Sequence, residues 1–283
     1  MTHEVMAIDR DIELHDPRLY ARREIVQGIR GGFDAVTDAH VQQFHALGFL
    51  SIEDAFTTQE TQDAIAGLLW LIGGGNPDFK SIQFEAKAAA NLSALTIEQK
   101  QDAVRKLMWF TEFEPRLKAL SHHPRLLALL ERLLGAPPIM FQDMALLKPP
   151  RLGREKPWHQ DNAYFNLDPR ERVVGVCALD EATIENGCMH LLPQLPRQPI
   201  PHFQRRDWQI CDTEILGHEC VAVPLKPGGV LLFDGLLAHG TPHNVSDKRR
   251  RAVQFHYHGN RYPPVSNEAR MAVFGSEGKD VEC

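Results

Sequence analysis

Beyond residue 138 the chain breaks into short apolar or alternating runs, and this punctuation most restricts the folds open to it. The runs cover residues 139–147, 173–179, 188–192, 220–225, 230–233 and 252–258, separated by Gly, Pro and charged turns. Strands need only period-two alternation over a few residues, and a series of them without intervening helical stripes predicts a sandwich or barrel. The half before Pro137-Pro138 reads differently. Val41, Phe44 and Leu47 form a helical stripe stopped by Gly48, and Phe49-Leu50-Ser51-Ile52 alternates like a strand. Thr57-Thr58-Gln59-Glu60 has capping-box form ahead of Ala64, Ile65, Leu68, Leu69 and Ile72. Thr96-Ile97-Glu98-Gln99 repeats that form ahead of Ala103, Val104, Leu107 and Met108, and Pro124 to Leu134 is a further, strongly apolar helix closed by Gly135. A short helix is expected over 17–29 and a loop over 76–95. The predicted architecture is mainly β with flanking helices: a peripheral N-terminal extension at 1–36, then one domain over 37–283.

Composition excludes several function classes. With 43% hydrophobic and 24% charged residues and a net charge of −6, the chain has a globular composition and no broad basic surface for nucleic acid. The single basic run, Lys248-Arg249-Arg250-Arg251, is too short to change that. No apolar run reaches the roughly 20 residues of a membrane span, and Met1-Thr2-His3-Glu4 lacks the basic-then-apolar pattern of a signal peptide. Five cysteines with no C-x-x-C spacing argue against a disulfide framework and for a cytoplasmic setting. The expected partner is therefore a small-molecule substrate, with no nucleic acid and no membrane; a homo-oligomer stays open.

Chemistry concentrates in Pro157-Trp158-His159-Gln160-Asp161-Asn162-Ala163-Tyr164-Phe165. On a strand, residues two apart project from one face, so His159 and Asp161 would point together. Non-haem Fe(II) takes two histidines and a carboxylate with positions left open. The second histidine is best supplied by His239, in Ala238-His239-Gly240-Thr241 just past an apolar run. Arg250 follows 11 residues later and opens the last strand. Counting by twos sets Arg250, Ala252, Gln254, His256 and His258 on one face, and Val253, Phe255 and Tyr257 on the other. An inward arginine beside a metal calls for a carboxylate, which accepts its fork bidentately; pairing with Asp234 or Asp247 is the plainer reading.

In this order the motifs resemble those of the phytanoyl-CoA dioxygenase family of Fe(II)/2-oxoglutarate oxygenases. The resemblance runs over residues 37–260. It takes in His159-Gln160-Asp161, Val173-Val174-Gly175-Val176, Asn186-Gly187-Cys188-Met189, Pro227-Gly228-Gly229-Val230, His239-Gly240-Thr241, and Asn244, Ser246, Asp247 and Arg250. It implies a double-stranded β-helix (jelly-roll, cupin-like) core and an enzyme that uses Fe(II), 2-oxoglutarate and O2 to hydroxylate a C–H bond, releasing succinate and CO2. His159, Asp161 and His239 would hold the iron. Arg250 and Thr241 would bind the distal carboxylate of 2-oxoglutarate, with Gln142 and Met144 lining its pocket. Asn162, Gln254 and His256 are taken as facing the substrate.

Two departures stand out. Cys177 occupies a position where the family often has Trp. Leu192-Pro193-Gln194-Leu195-Pro196-Arg197 replaces the Pro-Gly-Ser-His continuation and leads into a proline-bearing stretch, 193–217, expected to be a mobile lid closing over the iron. Other readings of the triad are a non-enzymatic cupin-like binder of a metal or small acid, and a Zn or Mn metalloenzyme. Neither needs a carboxylate receptor at Arg250 and Thr241.

Overall fold

The computed structural model describes residues 14–84 and 92–275. The elements of the first half are β1 (Arg22–Ile25), α1 (Asp38–Leu47), β2 (Phe49–Ile52), α2 (Thr58–Ile72), β3 (Ile82–Phe84), α3 (Ile97–Gln101), β4 (Val104–Met108), α4 (Pro115–Ser121) and α5 (Pro124–Leu134). The second half holds β5 (Ile139–Lys148), β6 (Lys156–His159), β7 (Val173–Leu179), β8 (Met189–Leu191), β9 (His202–Gln204), β10 (Trp208–Ile210), α6 (Asp212–Ile215), β11 (Cys220–Val223), β12 (Val230–Asp234), β13 (His239–Thr241), β14 (Arg250–His258) and α7 (Asn267–Phe274).

Two sheets make the jelly roll. The larger runs β2-β12-β7-β14-β5-β4-β3 and the smaller β1-β11-β8-β13-β6, with a separate β9–β10 hairpin. Period-two alternation divides their residues between layers. In β12, Val230 and Leu232 join the core shared with the helices, whereas Leu231 and Phe233 join the core with Leu191, Val221 and Val223 of the smaller sheet. In β14, Val253, Phe255 and Tyr257 face the helix side, packed in one cluster with Phe44, Leu68 and Leu130. The residues between them are therefore left for the space enclosed by the sheets. A third cluster, with Leu19, Tyr20, Trp158, Ile210 and Ile215, backs the smaller sheet.

Several expectations need correction. The helix expected through Met108 ends at Gln101, and Val104–Met108 is a strand paired with β5. The same apolar positions satisfy both periods, and the free edge of β5 decides between them. Residues 17–29 hold a 3₁₀ turn and β1 rather than a helix, because Arg22–Ile25 adds in parallel to the edge of β11. This stretch is not peripheral, since Leu19 and Tyr20 are buried; residues 1–13 lie outside the described part. The expected loop at 76–95 contains β3.

Residues 193–217 hold the β9–β10 hairpin and α6 rather than an irregular lid. Cys188 and Cys220 are free and buried, whereas Cys211 is disulfide-bonded, which spacing alone did not foretell. The backbone of Cys177 pairs with Leu231 and Gln254; its side chain lies outside what is described. No helix among the described residues is long and apolar enough to cross a membrane.

Trp158 joins the smaller sheet to its backing. It is fully buried, stacks on Tyr20 at 5.4 Å and donates its indole hydrogen to the Leu19 carbonyl at 3.0 Å. Trp158→Ala is expected to cost about 3–5 kcal/mol of stability through the cavity it leaves. A urea unfolding curve checks this, and a loss under about 1 kcal/mol would contradict it.

Candidate metal centre

Strand β6 ends at His159 and strand β13 begins at His239, and the antiparallel ladder sets these two residues directly opposite one another. Cross-strand partners present their side chains on one face, and the ring centroids lie 4.2 Å apart. Just after β6 the chain tightens into a 3₁₀ turn at Asp161–Tyr164, held by Asn162 N–H to the Gly235 carbonyl at 3.0 Å. That turn brings Asp161 Oδ1 to 3.4 Å from His159 Nε2 and 3.5 Å from His239 Nε2. One ligand atom from each of the three falls within 4.8 Å of the others, and all three residues are buried.

Neighbouring carbonyls fix the imidazole tautomers. His159 Nδ1 sits 2.8 Å from the Pro157 oxygen and His239 Nδ1 2.8 Å from the Leu237 oxygen. A carbonyl only accepts, so each Nδ1 carries the hydrogen and each Nε2 offers its lone pair inward, the form a metal needs. Burial, and then the neighbouring His239, push the His159 imidazole down to about 4. Burial would raise the Asp161 carboxyl, but the neighbouring His239, His256 and His159 side chains hold it well below the carboxylate range. At neutral pH this Asp–His pair needs no proton removed before it binds a cation. Two nitrogens and one carboxylate oxygen around one point fit a facial two-His, one-carboxylate site.

Residues 44–252 match the phytanoyl-CoA dioxygenase (PhyH) family. The chain belongs to that family. Phytanoyl-CoA dioxygenase domain-containing protein 1 of Danio rerio is 25% identical over 262 residues, which span 79% of this chain and 90% of that protein. Among solved structures, the non-haem α-ketoglutarate-dependent carbocyclase SnoK from nogalamycin biosynthesis superposes with a TM-score of 0.64 at 18% identity, covering 89% of this chain and 98% of that one. EctD from S. alaskensis, solved with 2-oxoglutarate and 5-hydroxyectoine, gives 0.63 at 22% identity, covering 96% and 90%. Family membership and the buried triad together make this chain a non-haem iron, 2-oxoglutarate-dependent oxygenase.

For a PhyH protein the co-substrate residues come next. Thr241 and Arg250 line one cavity between the sheets, with Cys188, Met189, Leu231 and Ala252. Gln142 and Met144 are the β5 partners of His256 and Gln254, and so share their inward face. The Gln142 side-chain oxygen is buried with no hydrogen-bond partner among the described residues. The substrate assignments fare differently. Asn162 is committed to the turn: its amide donates to the Glu171 carbonyl at 3.3 Å, and its Oδ1 occupies the space a side chain at Gly235 would need. Gln254 and His256 both bond to Asp161. All three were expected at the substrate; the bonds to the turn and to Asp161 give each a further role, while Asn162 Oδ1 and His256 Nδ1 keep no hydrogen-bond partner among the described residues.

Sequence reasoning missed three contributors. Gln160, between the two ligands, is fully buried and faces away from them. Its amide donates to the Gln198 carbonyl at 2.8 Å and the Leu236 carbonyl at 2.6 Å, and its Oε1 accepts from Ile200 N–H at 2.8 Å. It thereby ties the ligand turn to the stretch entering His239 and to the insertion. Lys148 is buried at the end of β5 opposite Arg250, donating to the Arg154, Thr241 and Pro242 carbonyls. Lys106 lies close enough to feel the charge of Asp161, and burial, then the Lys156 cation, lower it to about 8. A lysine in a strand pattern reads as a solvated face, so only the pairing of β4 with β5 reveals the last. Gln160→Met keeps volume but strands three backbone groups, each worth about 1–3 kcal/mol when left unpaired. Its unfolding free energy is expected to fall by at least about 2 kcal/mol in urea titration; parental stability would mean that water replaces those bonds.

Proposed function

We propose that this chain hydroxylates a C–H bond of a small organic molecule, consuming O2 and 2-oxoglutarate and releasing succinate and CO2, with His159, Asp161 and His239 as iron ligands. The observation that carries this reading is the convergence of two inward Nε2 lone pairs and one carboxylate oxygen at a buried point. Fe(II), once bound there with O2 and the keto acid, supplies the oxidising chemistry. The chain's own residues bind, orient and exclude water.

Arg250 and Thr241 are assigned to the distal carboxylate of the co-substrate. Both are buried and line one cavity, where a guanidinium fork and a hydroxyl can meet a carboxylate. Arg250 and Gln254 lie on one face of β14, four residues or roughly 13 Å apart along the strand. That span leaves room for an arginine side chain and a short diacid reaching back to the triad. Gln142 and Met144 are assigned to the wall beside the keto acid, because they neighbour His256 and Gln254 on the inward face. A two-His, one-carboxylate site could hold Zn or Mn, and a cupin-like binder could hold a small acid. A Zn or Mn site alone gives no use for the anion-receptive pair, and a small-acid binder is separated from an oxygenase by succinate release.

Two outcomes test the assignment. Asp161→Ala is expected to abolish both Fe(II)-dependent succinate release and tight metal binding; a variant with full turnover would overturn the triad. Arg250→Ala is expected to weaken 2-oxoglutarate binding by about 2–5 kcal/mol with metal affinity spared, measured by titration of the Mn(II)-loaded protein. Arg250→Lys recovers little, because a point charge does not reproduce the fork. Unchanged co-substrate affinity in Arg250→Ala would move the receptor elsewhere. Screening candidate substrates for coupled succinate and hydroxylated product decides the reaction as a whole.

A further inference from the structure

We infer that Gln254 and His256 act as a clamp on Asp161, holding it as a one-oxygen ligand; this rests on the reading of the triad as the iron site. The two oxygens of Asp161 have separate surroundings. Oδ1 faces the histidine pair, at 3.4 Å from His159 Nε2 and 3.5 Å from His239 Nε2. Oδ2 lies 3.0 Å from Gln254 Nε2 and 2.9 Å from His256 Nε2. An ionised carboxylate only accepts, so both nitrogens donate, and the two N–H groups converge on one oxygen. The 3.0 Å approach of Gln254 Nε2 to His256 Nε2 is then a meeting of two donors, tolerable because one anion lies between them.

The surroundings hold this arrangement in place. Gln254 and His256 are buried and two apart on β14, so the pleat presents both to the same side. The His256 ring is flanked edge-on by Phe165 at 4.9 Å and lies 5.9 Å from Phe141. Gly175, the β7 partner of His256, leaves the space that the amide needs. A methyl group there would come within 3.2 Å of Gln254 Nε2 and 2.6 Å of the Phe233 ring.

The consequence is one of coordination number. A carboxylate bound through both oxygens occupies two metal positions, whereas one bound through Oδ1 occupies one. With two histidines this leaves about three of six positions open, enough for a chelating keto acid and O2. Gln254 and His256 are thus positioning residues that keep a coordination place vacant.

Co(II) is the probe, titrated calorimetrically into the full chain with unfolding midpoints recorded alongside. Gln254→Met and His256→Phe replace the donors with apolar groups of similar size, and each is expected to bind Co(II) about 10–100-fold more weakly. His256→Gln, which restores an N–H at the same reach, is expected to recover most of that loss even if its unfolding midpoint matches that of His256→Phe. A merely structural role would move affinity and midpoint together and give no such rescue. Asp161→Ala is the control: if it binds Co(II) as the parent does, the metal reading itself fails. If Asp161→Ala loses binding while Gln254→Met and His256→Phe keep parental affinity, the clamp fails and the metal site stands.

Discussion

The site depends on the short ladder between β6 and β13. β13 is only three residues long, yet the register that sets His239 opposite His159 decides the rest. A slip of one residue would turn one imidazole to the other face of the sheet, because side chains alternate. The backbone also fixes the tautomers, since in both cases the carbonyl two residues earlier receives Nδ1–H. Two ligands are thus oriented by backbone alone, and Asp161 needs only the turn after β6 to reach them.

Burying a carboxylate between two imidazoles is costly unless its charge is shared. Here the sharing is asymmetric, one oxygen toward the histidines and the other toward β14. That strand serves both layers: Val253, Phe255 and Tyr257 anchor it in the helix-backed core, while Arg250, Gln254 and His256 face the enclosed space. The apolar residues fix the strand's height, so the polar ones between them are held without loop flexibility. Stability and chemistry are coupled through a single backbone.

How much of this was legible varies with the kind of signal. The strand-rich second half and the alternation of β14 follow from period-two patterns; the H-x-D motif and His239 named the converging residues, although Asp161 reaches the point from a 3₁₀ turn and not from the strand expected. Val104 and Leu107 misled because helix and strand periods coincide over so short a run, and the decision lay with the edge of β5 far along the chain. Gln254 and His256 were correctly placed on the inward face, but that face also carries Asp161's partners, which only three-dimensional distances distinguish from substrate contacts. Gln160 gave no signal at all, since a glutamine between two ligands looks solvated until the insertion folds over it. Sequence reports facing; it does not report who already occupies the bond.

The insertion at 193–217 shows the same limit from the energetic side. Its prolines and arginines suggested a lid, but its charges are spent on fixed partners. Arg206 bonds Glu155 at 2.9 Å and Asp212 at 2.6 and 2.8 Å, and Tyr20 donates to Glu155 from behind. Lys156 bridges Tyr164 and Asp207, and although burial pushes the Asp207 carboxyl up, Lys156 holds it at about 2. Arg197 reaches across to the last carbonyls of α1, and Gln160 secures Gln198 and Ile200. Swinging this segment open would break a buried ion network, and separating even one such pair costs about 3–5 kcal/mol. A gate that must open every cycle is drawn from weakly held structure. In this structure the insertion stands as a wall against β6, tied to the strand that carries His159 through Arg206–Glu155, Asp207–Lys156 and the bonds of Gln160.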